Sequence, residues 1–200
     1  MELPHYALKY DERLDAVASL EILAELLPRT LSIPHLWKWV LLSLHNALQG
    51  FMVLALQGTN ALAVLTEETA RAWMEAYEAD TVPTKRPRLD KFMALYDKIK
   101  SDAMLTLAHS RIFVPSTEQD GNVERLNSDR NSFVHYVPAL SLMDARVWTK
   151  ITLDVVPIIE FLALESNNVM FYESGQREKV KALCSLIGAE ASALSEHYGA

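Results

Sequence analysis

Arg130-Asn131-x-x-x-His135 is the stretch of this 200-residue chain whose residue types and spacing can move a proton and hold an anion in one place. Histidine, with an ordinary pKa of ~6.5, exchanges protons near neutral pH and contributes ~10²–10⁴-fold to a rate when well placed. Arginine sets a permanently charged planar fork against a phosphate as charge builds on it. A carboxamide such as Asn131 orients a phosphate or an imidazole by hydrogen bonds. The three together suit RNA cleavage without a metal, in which the 2′-OH attacks its own phosphodiester and leaves a 2′,3′-cyclic phosphate and a 5′-hydroxyl. The chain holds 10 Arg, 7 Asn and 6 His. Chance placement yields Arg-x4-His about 0.3 times and Arg-Asn-x3-His about 0.01 times, so the triplet is informative and the bare pair is not.

On a helix, at ~100° per residue, Asn131 and His135 share a face while Arg130 and His135 lie about 140° apart. Arg130 must reach around the helix, sit at a distorted turn, or serve a site that a second subunit completes. Plainer roles stand beside the chemical ones. Arg130 can pair with a carboxylate such as Asp129 or Asp102, Asn131 can bond its own helix backbone, and His135 can be an ordinary surface residue.

Weaker substrate-binding candidates lie elsewhere. Lys38, His45 and Gln49 fall on one stripe of an otherwise apolar helix, as a cleft lining or simply its wet edge. Tyr96 and Lys100 share a face and could meet an RNA base and phosphate, or form a surface pair. Tyr136 follows the motif directly. Ser132 has no nucleophile-elbow sequence around it, His-Glu-x-x-His does not occur and no Glu-x-x-His pair falls on an expected helix, so neither cofactor nor metal is expected.

With Leu126 before it and the aromatic Tyr136 after it, Arg130-Asn131-x3-His135 resembles the signature of the HEPN superfamily (higher eukaryotes and prokaryotes nucleotide-binding domains). The resemblance implies an all-α bundle with additional helices around a four-helix core, and a metal-independent endoribonuclease of the toxin or defence type. It implies catalytic roles for Arg130, Asn131 and His135 at a site composed across a homodimer, and an inhibitory, antitoxin-like partner protein. Degenerate members bind a nucleotide, RNA or a protein without cutting, which is the alternative reading.

Helices must position these residues, and the helical period runs through almost the whole chain. It predicts helices over 11–27, ended by Pro28, and over 35–57, opened by Pro34 with Gly58 as the stop. Thr66 with Glu67 and Glu68 opens a third, to 79. Further helices are expected over 89–106, over 122–137 after a break at 114–121, over 141–164 capped by Ser141 and kinked at Pro157, and over 174–196. No strand-type alternation, repeat or low-complexity tract competes with this pattern, so an all-α bundle in one domain, 1–200, is expected.

Composition narrows the setting. Half the residues are hydrophobic, and the single cysteine, Cys184, excludes an internal disulfide or a cysteine-based zinc site. The net charge is −7, yet residues 81–150 hold 11 basic against 8 acidic residues and form the only net-basic third. An anionic ligand belongs there, and a broad nucleic-acid-coating surface does not fit. The start lacks signal-peptide character. Residues 36–56 are long enough to span a bilayer but carry Lys38, His45, Asn46 and Gln49, which favours a buried core helix. Lys85-Arg86-Pro87-Arg88 reads as a solvated loop. A cytoplasmic setting is expected.

Overall fold

Four of the α-helices begin where a side chain accepts backbone N–H groups that a first turn leaves unpaired. The computed structural model describes residues 10–135 and 143–199. Asp11 caps α1 (Glu12–Leu26) by accepting from the amides of Arg13 and Leu14. Two 3₁₀ turns, Leu27–Leu31 and Pro34–Leu36, lead into α2 (Trp37–Leu56). Thr66 caps α3 (Glu67–Glu78), and α4 (Phe92–Ile99) is short. Then follow α5 (Thr117–Val134), α6 (Ala145–Glu160) and α7 (Gln176–Tyr198). Among the described residues there is no strand, only an isolated antiparallel bridge between Leu65 and Leu89. The chain is an all-α bundle.

Several boundaries differ from the periodic pattern, each for a local reason. The expected helix over 89–106 shrinks to α4, because Leu89 is held in the bridge and the chain after Ile99 turns through a 3₁₀ stretch at Asp102–Met104. The expected break at 114–121 is shorter: Ser116 and Gln119 form a reciprocal capping box, so α5 starts at Thr117 and runs through Gly121. His35 lies in a 3₁₀ turn before α2, and Gly58 (φ +49°) follows its end. Helix α6 passes through Pro157 and continues as a π-turn at Phe161–Glu165, a familiar accommodation after a ring removes one ladder bond. Asp144, whose side chain accepts from the Arg146 amide, caps α6; the expected cap Ser141 lies outside the described residues, as does Tyr136.

Helix α2 is the axis of the bundle. It is long and apolar enough by composition to cross a membrane, and here α1, α4, α5 and α6 pack around it. Val40, Leu41, Leu44, Ala47, Leu48, Phe51 and Met52 are fully buried on it. Burying each large one stabilises the fold by ~1.5–3 kcal/mol relative to leaving it exposed. Gly50 permits the tightest approach, backing onto Ala16 of α1.

Helix α5 is clamped to α6 along one side. Asn122 donates to the Asp154 carboxylate, Gln119 donates to the Asp154 carbonyl, and buried Asp129 accepts from Trp148 Nε1 at 2.9 Å. Trp148 also packs on Trp37 and Phe133, with ring centroids 5.8 Å apart in each case. With that side spoken for, the face carrying Asn127, Arg130 and Asn131, roughly 110° round the helix, turns toward α2.

Candidate functional site

Asn127, Arg130 and Asn131 are three and four residues apart, the spacing that puts side chains on one helical face. That face borders a cavity of about 400 Å³, closed on the α2 side by His45 and Gln49 and at the front by Asp90, Lys91, Phe92 and Met93. The front wall is fixed from behind. The amides of Asp90 and Thr66 donate to the carbonyls of Val64 and Arg88, and Lys98 Nζ bridges the Asp90 carboxylate and the Leu65 carbonyl at 2.8 Å each. Burial pushes the Asp90 carboxyl up, but hydrogen bonds from Lys98 and the Lys91 amide, with both lysines' charges, leave it below its ordinary range.

Arg130 is half-buried and takes part in no ion pair among the described residues. Neither plain partner is available to it. Asp129 is occupied by Arg125 Nε and Trp148 Nε1, and Asp102 sits in a separate 3₁₀ turn capped by Ser101. Arg130 Nη1 instead donates to Asn131 Oδ1 at 3.1 Å, and its Nε has no partner. Asn131 therefore orients the guanidinium with its side chain. Arg130 and Gln49 also line a second hollow of about 310 Å³, with Glu12, Asp15, Asn46, Gly50, Val53 and Leu89. One groove thus runs across α2, with Arg130 at its middle.

His45 is the buried titratable group of the cleft, 2% exposed. Its ring stacks on Phe92 at 4.0 Å and 19°, and Nε2 lies 3.3 Å from Asn127 Oδ1. Nε2–H is then the donor, and Nδ1 is left without a partner. Burial first, and the positive charge of Arg130 second, lower the His45 pKa to about 4, so the imidazole is neutral at pH 7.

The other sequence candidates separate. His135 closes α5: its amide donates to the Asn131 carbonyl, its φ/ψ of −101°/64° leave the helix, and its side chain is exposed outside the cavity lining. Lys38, two turns before His45, stands over the Trp39 ring at 5.3 Å and does not line the cleft. Tyr96 is buried, with its ring face covered by Lys100 Nζ at 4.3 Å, and Lys100 is held by Asp97 and Asp120 at 3.2 and 3.1 Å. This pair is structural in its contacts and leaves no free ring face for a base. Asn127, Asp90, Lys91 and Phe92 were not singled out from the sequence. Asn127 carried a signal, since it completes an i, i+3, i+4 set with the motif; the others depend on the bridge between Leu65 and Leu89.

Two features bound alternative sites. A larger hollow of about 580 Å³ between α6 and α7 has its charges already matched, Arg146 with Asp144 and Lys150 with Glu118. Among the described residues no group of three or more His, Cys, Asp or Glu side chains is arranged to hold a metal ion. Comparison of the chain with protein families, with characterised proteins and with solved structures returns no significant match.

Proposed function

We propose that the chain is a metal-independent endoribonuclease of the HEPN type, acting as a homodimer. The observation that carries the reading is Arg130: a guanidinium without a carboxylate partner among the described residues, oriented by Asn131, set in a groove and on the helix that ends in exposed His135. An RNA phosphodiester is the ligand such a fork suits, being anionic and planar in its bidentate recognition. In this reading Arg130 stabilises the charge that builds on phosphorus, Asn131 positions, and His135 moves protons between the 2′-OH and the leaving oxygen. Arg130 and His135 diverge around α5, so two copies meeting at this end supply the facing motif. Exposed Val134 and Val147 offer apolar surface there. A nuclease acting on RNA of its own cell, in the cytoplasm, requires restraint, and an inhibitory partner protein belongs to the proposal.

Labelled RNA incubated in EDTA with purified protein tests it. Cutting is expected to leave 2′,3′-cyclic phosphate ends, to fall ~10²–10⁴-fold in His135→Ala and ~10²–10³-fold in Arg130→Ala. The same cutting by His135→Ala would overturn the assignment. The second reading, a bundle that binds RNA or nucleotide without cleaving, is favoured by one observation: the cleft is complete without His135. Retained RNA binding with no cutting by the dimer would select it.

A further inference from the structure

The cleft sets an arginine with no carboxylate partner among the described residues beside a buried imidazole that lacks a partner for Nδ1. We propose that this is a proton-linked oxyanion site: a phosphodiester oxygen seats against Arg130, and one solvent proton is taken up by His45 as it binds. The inference rests on the ribonuclease reading for its ligand and goes beyond it in giving His45 a role. The step is balanced without bond cleavage. Neutral imidazole plus a proton becomes imidazolium, and the diester keeps its single negative charge.

The geometry supplies both halves. Arg130 and His45 line one cavity and are joined through Asn127, which lies on the Arg130 face of α5 and meets His45 Nε2. Nδ1, without a hydrogen-bond partner in the neutral ring, is the atom that takes the proton, and an anion seated on Arg130 in the same cavity offsets the charge this adds. The other charges facing the imidazole do not preempt this. Asp90, before α4, is bound to Lys98, and Lys91 beside it is cationic. Glu12 and Asp15 of α1 face the adjoining hollow, where Asp15 accepts from Tyr10 at 2.6 Å.

The charge of Arg130 opposes protonation of His45. A bound anion offsets that charge, and an opposite charge at ~4–6 Å moves a pKa by about one to three units. Coupling is reciprocal: whatever the anion does to the proton, the proton does to the anion. A two-unit rise gives about tenfold tighter anion binding at pH 5 than at pH 7.5.

The test is an imidazole ¹⁵N NMR titration of the full chain, with His45 assigned by His45→Gln, using two ligands of constant charge over this range: sulfate and a 2′-O-methyl oligouridylate. The His45 signals are expected to stay in the neutral form down to about pH 5 without anion, and to titrate one to three units higher with either anion at saturation. In Arg130→Gln the midpoint starts higher and no longer moves with anion. Oligouridylate binding is expected to tighten about tenfold from pH 7.5 to pH 5 in the wild type and to stay flat in His45→Gln. A His45 midpoint that ignores both ligands, or an Arg130→Gln protein that keeps the pH-dependent tightening, would overturn the proposal. The wild-type titration needs no variant, so misfolding of His45→Gln cannot mask the result. RNA cutting with an unresponsive His45 ends this inference and leaves the ribonuclease reading standing; a responsive His45 with no RNA cut does the reverse.

Discussion

Replacing Gly50 by alanine should destabilise the protein, although alanine is the better helix former. A Cβ built on Gly50 would lie 2.7 Å from Ala16 Cβ and 3.2 Å from Ala16 Cα, and Ala16 is fully buried in α1. Alanine in a helix interior gains about 1 kcal/mol over glycine. Overpacking of this kind costs about 1–3 kcal/mol and sometimes more, and the atoms in the way are a backbone carbon and its methyl, which cannot swing aside. A net loss of up to about 2 kcal/mol is expected, lowering Tm by up to about 8 °C. Gly121 in α5 and Gly188 in α7 are the internal controls, since nothing lies within 4 Å of a Cβ at either position. Each alanine there should stabilise by about 0.5–1 kcal/mol. Urea unfolding of the three variants at one temperature checks the order. Gly50→Ala as stable as Gly121→Ala and Gly188→Ala would refute the close approach of α1 and α2, and with it the shape of the groove that Gly50 shares with Arg130.

Asp129→Ala removes the acceptor of the buried Trp148 N–H and of Arg125 Nε, and should cost about 2–4 kcal/mol, mostly from the orphaned indole because Arg125 is largely exposed. Asp129→Asn, which keeps an acceptor, should recover most of it in the same denaturation assay. His45 gives stability a pH dependence: its folded pKa, about 4, lies below the unfolded value of 6.5, so its contribution is complete above pH 6.5 and falls away as pH drops toward 4. The loss approaches about 3 kcal/mol, and stability curves at pH 7 and pH 4.5 should converge in His45→Gln relative to wild type. Lys100→Met should leave RNA cleavage within about twofold while lowering stability by about 1 kcal/mol or less, since its partners Asp97 and Asp120 are solvated; a large loss of cleavage would return the Tyr96–Lys100 pair to the site.

The helical class follows from the spacing of apolar residues, because α1, α4, α5 and α6 each bury a stripe against α2 and α7 buries one against α1 and α6. Starts marked by a proline or a capping threonine, at Pro34 and Thr66, fall within a few residues of the observed ones. Boundaries went astray where a tertiary contact outranked the local pattern. Leu89 has helical spacing with Phe92 and Met93, but the bridge to Leu65 extends it. Gly121 has the composition of a breaker, but the Ser116–Gln119 box starts the helix before it and the glycine is carried along. Of the motif residues, Arg130 and Asn131 lie in α5 as their spacing suggested, whereas His135 is the residue that ends it. What no local pattern could disclose is that α5, tied to α6 by the Asp129–Trp148 bond, sets Arg130 on the same cavity as His45, 85 residues earlier in the chain. His45 was visible only as one polar residue on an apolar stripe, and its tie to Asn127 is a property of the packing.

The most direct measurement compares cleavage of one RNA at a mapped site with cleavage of the same RNA carrying a single 2′-deoxy sugar there, in EDTA. The account predicts cutting of the all-ribose strand with a 2′,3′-cyclic phosphate end, and no cutting at the deoxy position. Absence of cutting in the ribose strand, or cutting that persists beside the deoxy sugar, would contradict attack by the 2′-OH and the roles given to Arg130 and His135.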